Sequence, residues 1–180
     1  MTEKNRKYKH YFKYIILDIL IAAVVSVLLI TYVASAYKIE GNSMQTALRN
    51  QERIIISKLG LKNGGIERTD IIVLHKPDEP TRSIIKRVIG LPEEVIEIRK
   101  GDVYINNRLL LEPYLKKEKD LIYTSMTLKP LLIQKNHYFV LGDNRTLSLD
   151  SRVFGPVPQK YIYGKTWFRY WPFSRFGRVK

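Results

Sequence analysis

Ser43 and Lys86 are the side chains whose types and surroundings could support nucleophilic catalysis in this sequence. Ser43 lies in a polar stretch of eight residues, Gly41 to Leu48. A serine hydroxyl becomes an effective nucleophile when a neighbouring base removes its proton. The Gly-x-Ser-x-Gly elbow of many hydrolases is not present, because Gln45 stands where its second glycine would be. Considered alone, Ser43 therefore fits an ordinary turn residue as well as a nucleophile.

Lys86 is the candidate base for this serine. Lysine has an unperturbed pKa near 10.4, so burial among apolar groups must lower its pKa before the amine can accept a proton near neutral pH. The segment 83–89 has the pattern of a β-strand, which predicts that Ile84, Lys86 and Val88 share one face. That face points to the interior and would bury the amine. The alternative is an edge-strand lysine that keeps a sheet soluble.

A serine–histidine–acid triad is the other arrangement to consider. The three histidines, His10, His75 and His137, are far apart in sequence. His75 with Asp70 or Asp143 could complete such a triad, but no local motif supports it. The scattered histidines and the complete lack of cysteine argue against a metal centre and exclude a disulfide framework. We expect neither a metal nor another cofactor.

A third polar cluster, Gly142 to Pro156, directly follows an apolar strand. It is dense in Asp, Asn, Arg and Ser, including Asp143, Ser148, Asp150 and Arg152. Such a loop can hydrogen-bond its own backbone and place an Asp–Arg ion pair beneath a site. We interpret it as a structural loop that also supports the site.

Short apolar runs separated by turn signals predict the elements that position these residues. The predicted strands are 53–57, 70–75, 83–89, 95–99, 138–141 and 166–171, with a hairpin over 102–111 that turns at Asn106-Asn107. The polar segments 62–69 and 112–119 are predicted connections. We predict a mainly β fold, a folded or barrel-like sheet assembly.

A long apolar segment, 14–36, precedes the β region. As a helix its 23 residues would span about 34 Å, enough to cross a hydrocarbon core of about 30 Å. Asp18 lies near one end of the segment, where its carboxylate can reach the interface. Residues 1–13 carry five basic side chains, whereas only Lys38 and Arg49 are basic among the first fifteen residues after the segment. The positive-inside rule therefore predicts a cytoplasmic tail (1–13), a transmembrane anchor (14–36) and an exported catalytic domain (37–180).

The tripeptide Ala34-Ser35-Ala36 at the end of this segment offers a second interpretation. Small residues in this pattern are typical of a signal-peptide cleavage site. The apolar run is longer than the usual signal-peptide core of about 7–15 residues, which favours an uncut anchor. Cleavage after Ala36 remains the alternative.

The formal net charge of +14 predicts attraction to a polyanion. The basic residues are scattered over the chain, and no nucleic-acid recognition motif accompanies them. Beside a membrane anchor, anionic membrane lipids are the expected partner, and nucleic acid is not.

Four ordered motifs resemble those of the type I signal peptidases, particularly the short forms of Gram-positive bacteria. Residues 43–48, Ser-Met-Gln-Thr-Ala-Leu, are similar to the family's Ser-Met-x-Pro-Thr-Leu motif. Residues 69–73 resemble its Gly-Asp-Ile-Val strand, and residues 86–92 its lysine motif. Residues 142–155 match its Gly-Asp-Asn-Arg box in full.

This resemblance implies a β-rich fold and the removal of signal peptides from exported preproteins after small residues, as at Ala-x-Ala sites. It implies that Ser43 is the nucleophile and Lys86 the general base, with the backbone N–H of Ser43 as an oxyanion donor. Gly41 stands where some relatives supply a serine hydroxyl as a second donor. The further residues implied are Met44 in substrate binding, Ser148 orienting the lysine, Asp150 and Arg152 as a supporting ion pair, and Asp143 as a support.

The sequence departs from the family pattern beside the nucleophile, where Thr46-Ala47 replaces Pro-Thr. Thr69 and Glu93-Glu94 replace the commoner Gly and Gly-Asp. Loss of the proline frees φ and adds an N–H donor, which loosens the loop. This raises the alternative of an accessory protein that binds exported or pilus precursors with specialised or no cleavage. Both catalytic side chains are present, so cleavage is the preferred prediction.

Overall fold

The N-terminal region is a long apolar helix. The computed structural model describes residues 3–61, 65–115 and 125–179. Helix α1 (Glu3–Leu28) continues into a π-helix (Leu29–Val33). Within them Tyr11–Tyr32, with a mean hydropathy of 2.6, is long and apolar enough to cross a membrane. None of its side chains is buried against the rest of the protein, as expected of a helix whose solvent is lipid.

Short strands dominate the remainder. They are β1 (Ala34–Lys38), β2 (Arg53–Ser57), β3 (Ile71–Lys76), β4 (Glu79–Gly90), β5 (Val95–Arg99), β6 (Asp102–Ile105), β7 (Arg108–Leu109), β8 (Leu128–Leu132), β9 (His137–Leu141), β10 (Val157–Pro158), β11 (Ile162–Trp171) and β12 (Gly177–Arg178). Helix α2 (Ser151–Phe154) and two 3₁₀ turns (Gln159–Tyr161 and Phe173–Arg175) complete the described elements.

The strands form two antiparallel sheets. The larger has the order β1-β2-β11-β3-β4-β9-β10, with β12 added to β11, and the smaller has the order β7-β6-β5-β8. Strands β1 and β10 end the large sheet and do not pair with each other, so the described sheet is open and not a closed barrel. The predicted mainly β fold with an N-terminal apolar helix is confirmed.

Two apolar clusters hold the site region in place. Ile89, Phe139 and Leu141 of the large sheet pack against Ile96 and Val103 of the small sheet and so join the two sheets. A second cluster packs Met44 and Leu48 against the isoleucines of β2 and the start of β3. Met44 and Leu48 are almost completely buried. The loop that carries Ser43 is therefore fixed to the sheet from both ends.

The observed strands follow the predicted alternation closely in the middle of the chain. The 53–57 and 95–99 strands match the predicted bounds, and the hairpin turns at Asn106 and Asn107 with φ of 49° and 64°. The alternation did not reveal β8 or the β1 strand, which contains Ala34-Ser35-Ala36. The described parts of the predicted connections, 65–69 and 112–115, contain neither helix nor strand, and residues 62–64 and 116–119 lie outside the described ranges.

Candidate active site

The loop between β1 and β2 presents Ser43 at the surface of the sheet. Gly41 has a φ of +93°, in the left-handed region that favours glycine, and its N–H donates to Asn50 Oδ1 at 3.1 Å. The N–H of Leu48 donates to the carbonyl of Met44 at 2.7 Å and closes a turn directly after the serine. Met44 and Leu48 are buried in the core. Ser43 lies between β1 and this turn and is half-buried.

Lys86 lies in the middle of β4, where it is 3% exposed. Its side chain is buried, so the interpretation of Lys86 as an exposed lysine that keeps a sheet edge soluble does not hold. Its Nζ is 2.9 Å from Ser43 Oγ. Burial lowers the pKa of Lys86 to about 8, since desolvation outweighs the opposing effects of Asp150 and Asp143. A neutral amine within hydrogen-bond distance of a serine hydroxyl is what a serine–lysine mechanism requires.

Asp143 joins the three segments that form the site. Its carboxylate forms a bidentate pair with Arg87, the residue after Lys86, at 2.8 Å for both hydrogen bonds. The hydroxyl of Thr46 donates to Asp143 Oδ2 at 3.2 Å. The next N–H, of Asn144, donates to the carbonyl of Ser43 at 3.0 Å. One buried carboxylate therefore connects three parts of the chain: the loop that carries Ser43 (the nucleophile loop, residues 39–52), strand β4 with Lys86 (the base strand), and residues 142–155 (the polar box).

Asp150 organises the remainder of the polar box. It is completely buried, pairs with Arg152 at 2.8 Å and accepts from the N–H of Gly142 at 3.0 Å. It also caps the N-terminus of α2 by accepting from the N–H of Arg152. Arg152 in turn donates to the carbonyls of Arg145 and Ser148. The Asp–Arg pair expected from the sequence is thus Asp150 with Arg152, and a second buried pair, Asp143 with Arg87, accompanies it.

Ser148 lies beside Gly142, close to the nucleophile loop. A Cβ on residue 142 would collide with the Ser148 hydroxyl and with the Ser43 carbonyl, so glycine is required for this close approach. The Ser148 hydroxyl is buried and hydrogen-bonds to no described residue. Its implied role in orienting Lys86 stays a prediction.

The histidine alternatives do not assemble at Ser43. His75 stacks on the Tyr163 ring with centroids 4.5 Å apart. Asp70 pairs with Lys165 at 2.7 Å, and Asp143 pairs with Arg87. In the described ranges no group of three or more His, Asp or Glu side chains is suited to hold a metal ion.

A cleft of about 710 Å³ leads to Ser43 and Lys86. One wall is residues 36–41, from β1 and the start of the nucleophile loop, and the other is residues 81–86 of β4. Within the described chain, β1 pairs only with β2, and residues 83–86 pair only with β3. Two strand edges therefore face the cleft. The sequence did not reveal these lining residues, because their pairing depends on which strands are neighbours in space.

The comparison with known proteins decides the family. The family model described as signal peptidase, peptidase S26, matches residues 12–171. The chain belongs to this family. The resemblance to type I signal peptidases is thus confirmed, and the protein is a membrane serine peptidase that removes signal peptides from exported preproteins.

Similar proteins come from three bacteria. Signal peptidase IB of Staphylococcus aureus is 36% identical over 176 residues, which cover 89% of this chain and 90% of the relative. Signal peptidase I of Bacillus caldolyticus is 39% identical over 154 residues, covering 81% and 84%. The crystal structure of a signal peptidase I from Enterococcus faecalis V583 is 35% identical and covers 56% of this chain and 95% of its own, with a TM-score of 0.48.

Proposed function

We propose that this peptidase cleaves its substrates with Ser43 as the nucleophile and Lys86 as the general base. The observation that carries this proposal is the 2.9 Å separation of Lys86 Nζ from Ser43 Oγ at the end of the cleft. The burial that lowers the pKa of Lys86 to about 8 gives the amine a neutral fraction near neutral pH.

The chemistry follows from these two side chains. Neutral Lys86 takes the proton of the Ser43 hydroxyl as Oγ attacks the scissile carbonyl, and the ammonium then protonates the departing amine. A water molecule, deprotonated by the regenerated amine, hydrolyses the acyl-enzyme and restores the Ser43 hydroxyl. In each half of the reaction Lys86 accepts one proton and then donates one, so the amine returns to its neutral form and the mechanism requires no cofactor.

We assign the oxyanion donor to the backbone N–H of Ser43. No described residue accepts a hydrogen bond from this N–H. The N–H of Gly41 already donates to Asn50, and glycine has no hydroxyl to offer, so Gly41 shapes the turn. Asp143, Asp150 and Arg152 hold the segments around the site, and Ser148 fills the space beside Gly142.

The substrate is proposed to lie extended in the cleft between β1 and β4. The two facing strand edges can hydrogen-bond an added strand, which gives main-chain affinity without sequence preference. Met44, Ile39 and Ile85 provide an apolar lining close to the nucleophile. The substrate residue before the scissile bond would contact this apolar lining, which suits a small apolar side chain such as alanine.

We propose that the apolar helix anchors the protein so that this cleft lies at the extracellular surface of the cell membrane. The seven residues from Ala36 to Ser43 reach at most about 25 Å, so Ser43 works close to the bilayer, where a membrane-tethered preprotein also emerges. We propose a cytoplasmic N-terminus and an extracellular catalytic domain. The exposed rings of Trp171, Phe173 and Phe176 suit an interface, and the net charge of +14 suits anionic lipids, so we propose lipid and not nucleic acid as the polyanion partner.

The test is processing of a preprotein with an Ala-x-Ala site by the full chain in detergent or vesicles. Ser43→Ala and Lys86→Ala should each abolish cleavage while the protein stays folded. Lys129→Ala, which changes an exposed lysine on β8, is the matched control and should cleave normally. Full processing by Lys86→Ala would contradict the serine–lysine mechanism.

A further inference from the structure

We infer that Thr46 is a positioning residue that fixes Ser43 relative to Lys86 by hydrogen-bonding to Asp143. This inference rests on the proposed roles of Ser43 and Lys86. It concerns the position where this chain departs from the proline typical of the family, and it assigns the threonine hydroxyl a task that proline cannot perform.

The evidence begins with the acceptor. Asp143 Oδ2 accepts from Thr46 Oγ1 at 3.2 Å and from Arg87 at 2.8 Å. The side chains of Asp143 and Arg87 are both 1% exposed, and the guanidinium also donates to the carbonyl of Thr69 and lies 4.0 Å from the centre of the Tyr114 ring. A carboxylate held by two charged hydrogen bonds in the protein interior cannot move without breaking them. The Thr46 hydroxyl is therefore bonded to one of the most firmly held groups beside the site.

The tether acts on both catalytic side chains because of their places in the chain. Thr46 is three residues after Ser43, and Arg87 directly follows Lys86. A path of two hydrogen-bonded contacts, Thr46 to Asp143 to Arg87, thus connects the nucleophile loop with the base strand. Displacement of the loop by a few tenths of an ångström would lengthen the 2.9 Å separation of Ser43 Oγ and Lys86 Nζ.

A second contact defines what the hydroxyl adds. The N–H of Asn144 donates to the carbonyl of Ser43, on the N-terminal side of Met44 and Gln45, and the Thr46 hydroxyl bonds on their C-terminal side. Met44 already holds the loop against the sheet through its packing in the core. Two contacts on either side of the dipeptide fix its orientation. Proline achieves rigidity by fixing its own φ, whereas threonine achieves it by a bond to a neighbouring loop.

The experiment compares Thr46→Val, which removes the hydroxyl at nearly constant shape, with Thr46→Ser, which keeps it. The full chain in detergent is assayed with a peptide containing an Ala-x-Ala site. We expect kcat of Thr46→Val to fall about 5- to 20-fold with KM within twofold of wild type, because alignment changes and the cleft does not. Thr46→Ser should recover kcat to within about threefold of wild type. Thr127→Val, which alters an exposed threonine before β8, is the control and should match wild type.

The pH profile separates positioning from electrostatics and from simple loss of structure. Burial sets the pKa of Lys86, so Thr46→Val should lower the plateau of the profile and leave its midpoint in place. Wild-type kcat in Thr46→Val, or equal losses in the valine and serine variants, would overturn the inference. A shifted midpoint would also overturn it, since the hydroxyl would then act through the charge of Asp143. Activity remaining in Ser43→Ala or Lys86→Ala would instead refute the proposed function, so the two failures are distinguishable.

Discussion

Lys86 links the chemistry of the site to pH. The amine accepts a proton only when neutral, and burial lowers its pKa from 10.5 to about 8. We therefore expect kcat/KM for a soluble Ala-x-Ala peptide to rise about tenfold per pH unit below pH 8 and to level off above it. Rates between pH 6 and 10 provide the measurement. A midpoint near 6.5 would contradict the lysine base and indicate a histidine.

The same burial carries a stability cost. At pH 7 the folded protein holds a mostly protonated amine that is 3% exposed, and the lowered pKa corresponds to a cost on the order of 3 kcal/mol. Lys86→Met keeps the volume without the charge, so we expect its free energy of unfolding to exceed that of wild type by about 1–3 kcal/mol at pH 7.

The pH dependence of this difference provides its internal control. Between pH 8 and 10.5 the unfolded lysine binds more protons than the folded one, so the wild type gains stability as pH rises and the methionine variant does not. The difference should therefore shrink across this window, as measured by denaturant unfolding in detergent. A difference that is independent of pH would attribute the effect to packing.

Local sequence patterns identified the reacting residues but not the hydrogen bonds and ion pairs that position them. Alternation along 83–89 placed Lys86 in the interior, and a motif drew attention to Ser43. The pairing of Arg87 with Asp143 joins positions 56 apart in the sequence, and the Thr46 hydroxyl bond joins positions 97 apart. Such contacts depend on which strands and loops are neighbours, which local pattern does not encode.

Strand β1 bears on whether the chain is cut after Ala36. The small residues Ala34 to Ala36 pair with Ser57 to Ile55 of β2, so the candidate cleavage site is part of the large sheet. Cleavage there would separate most of β1 from the enzyme. We expect intact-mass measurement of the membrane-extracted protein to show no species beginning at Tyr37.

The Ser43→Ala variant is the control for that measurement. A fragment beginning at Tyr37 in wild type but not in Ser43→Ala would indicate self-cleavage, and one present in both would indicate another peptidase. Either result would contradict a stably paired β1.

Element boundaries were predictable where side chains alternate and hidden where composition is uniform. Alanine is a strong helix former and is depleted in strands, so the sequence assigned Ala34 and Ala36 to the apolar segment and not to β1. Strand β8 contains Pro130, which argues against an interior strand. It lies at the edge of the small sheet, where a missing N–H donor is tolerated.

At the scale of the whole molecule, the anchor and the sheet are connected tightly. The Lys58 ammonium, directly after β2, donates to the carbonyls of Ile30 and Thr31 at the end of the apolar helix, each at 3.1 Å. These bonds satisfy carbonyls that the end of a helix leaves without partners. They also hold the helix end beside β2, in the same sheet as the cleft. The end of the apolar helix and the cleft are therefore attached to the same sheet.

Orientation across the membrane can be tested directly because the chain contains no cysteine. Lys4→Cys places a thiol before the apolar part of the helix, Tyr11–Tyr32, and Lys129→Cys places one on the exposed side of β8. The basic N-terminal flank should hold the N-terminus in the cytoplasm. A membrane-impermeant maleimide should then label Lys129→Cys in intact cells and Lys4→Cys only after permeabilisation, with the parent chain unlabelled. The reverse pattern would place the cleft inside the cell, where it could not meet a signal peptide emerging at the outer surface.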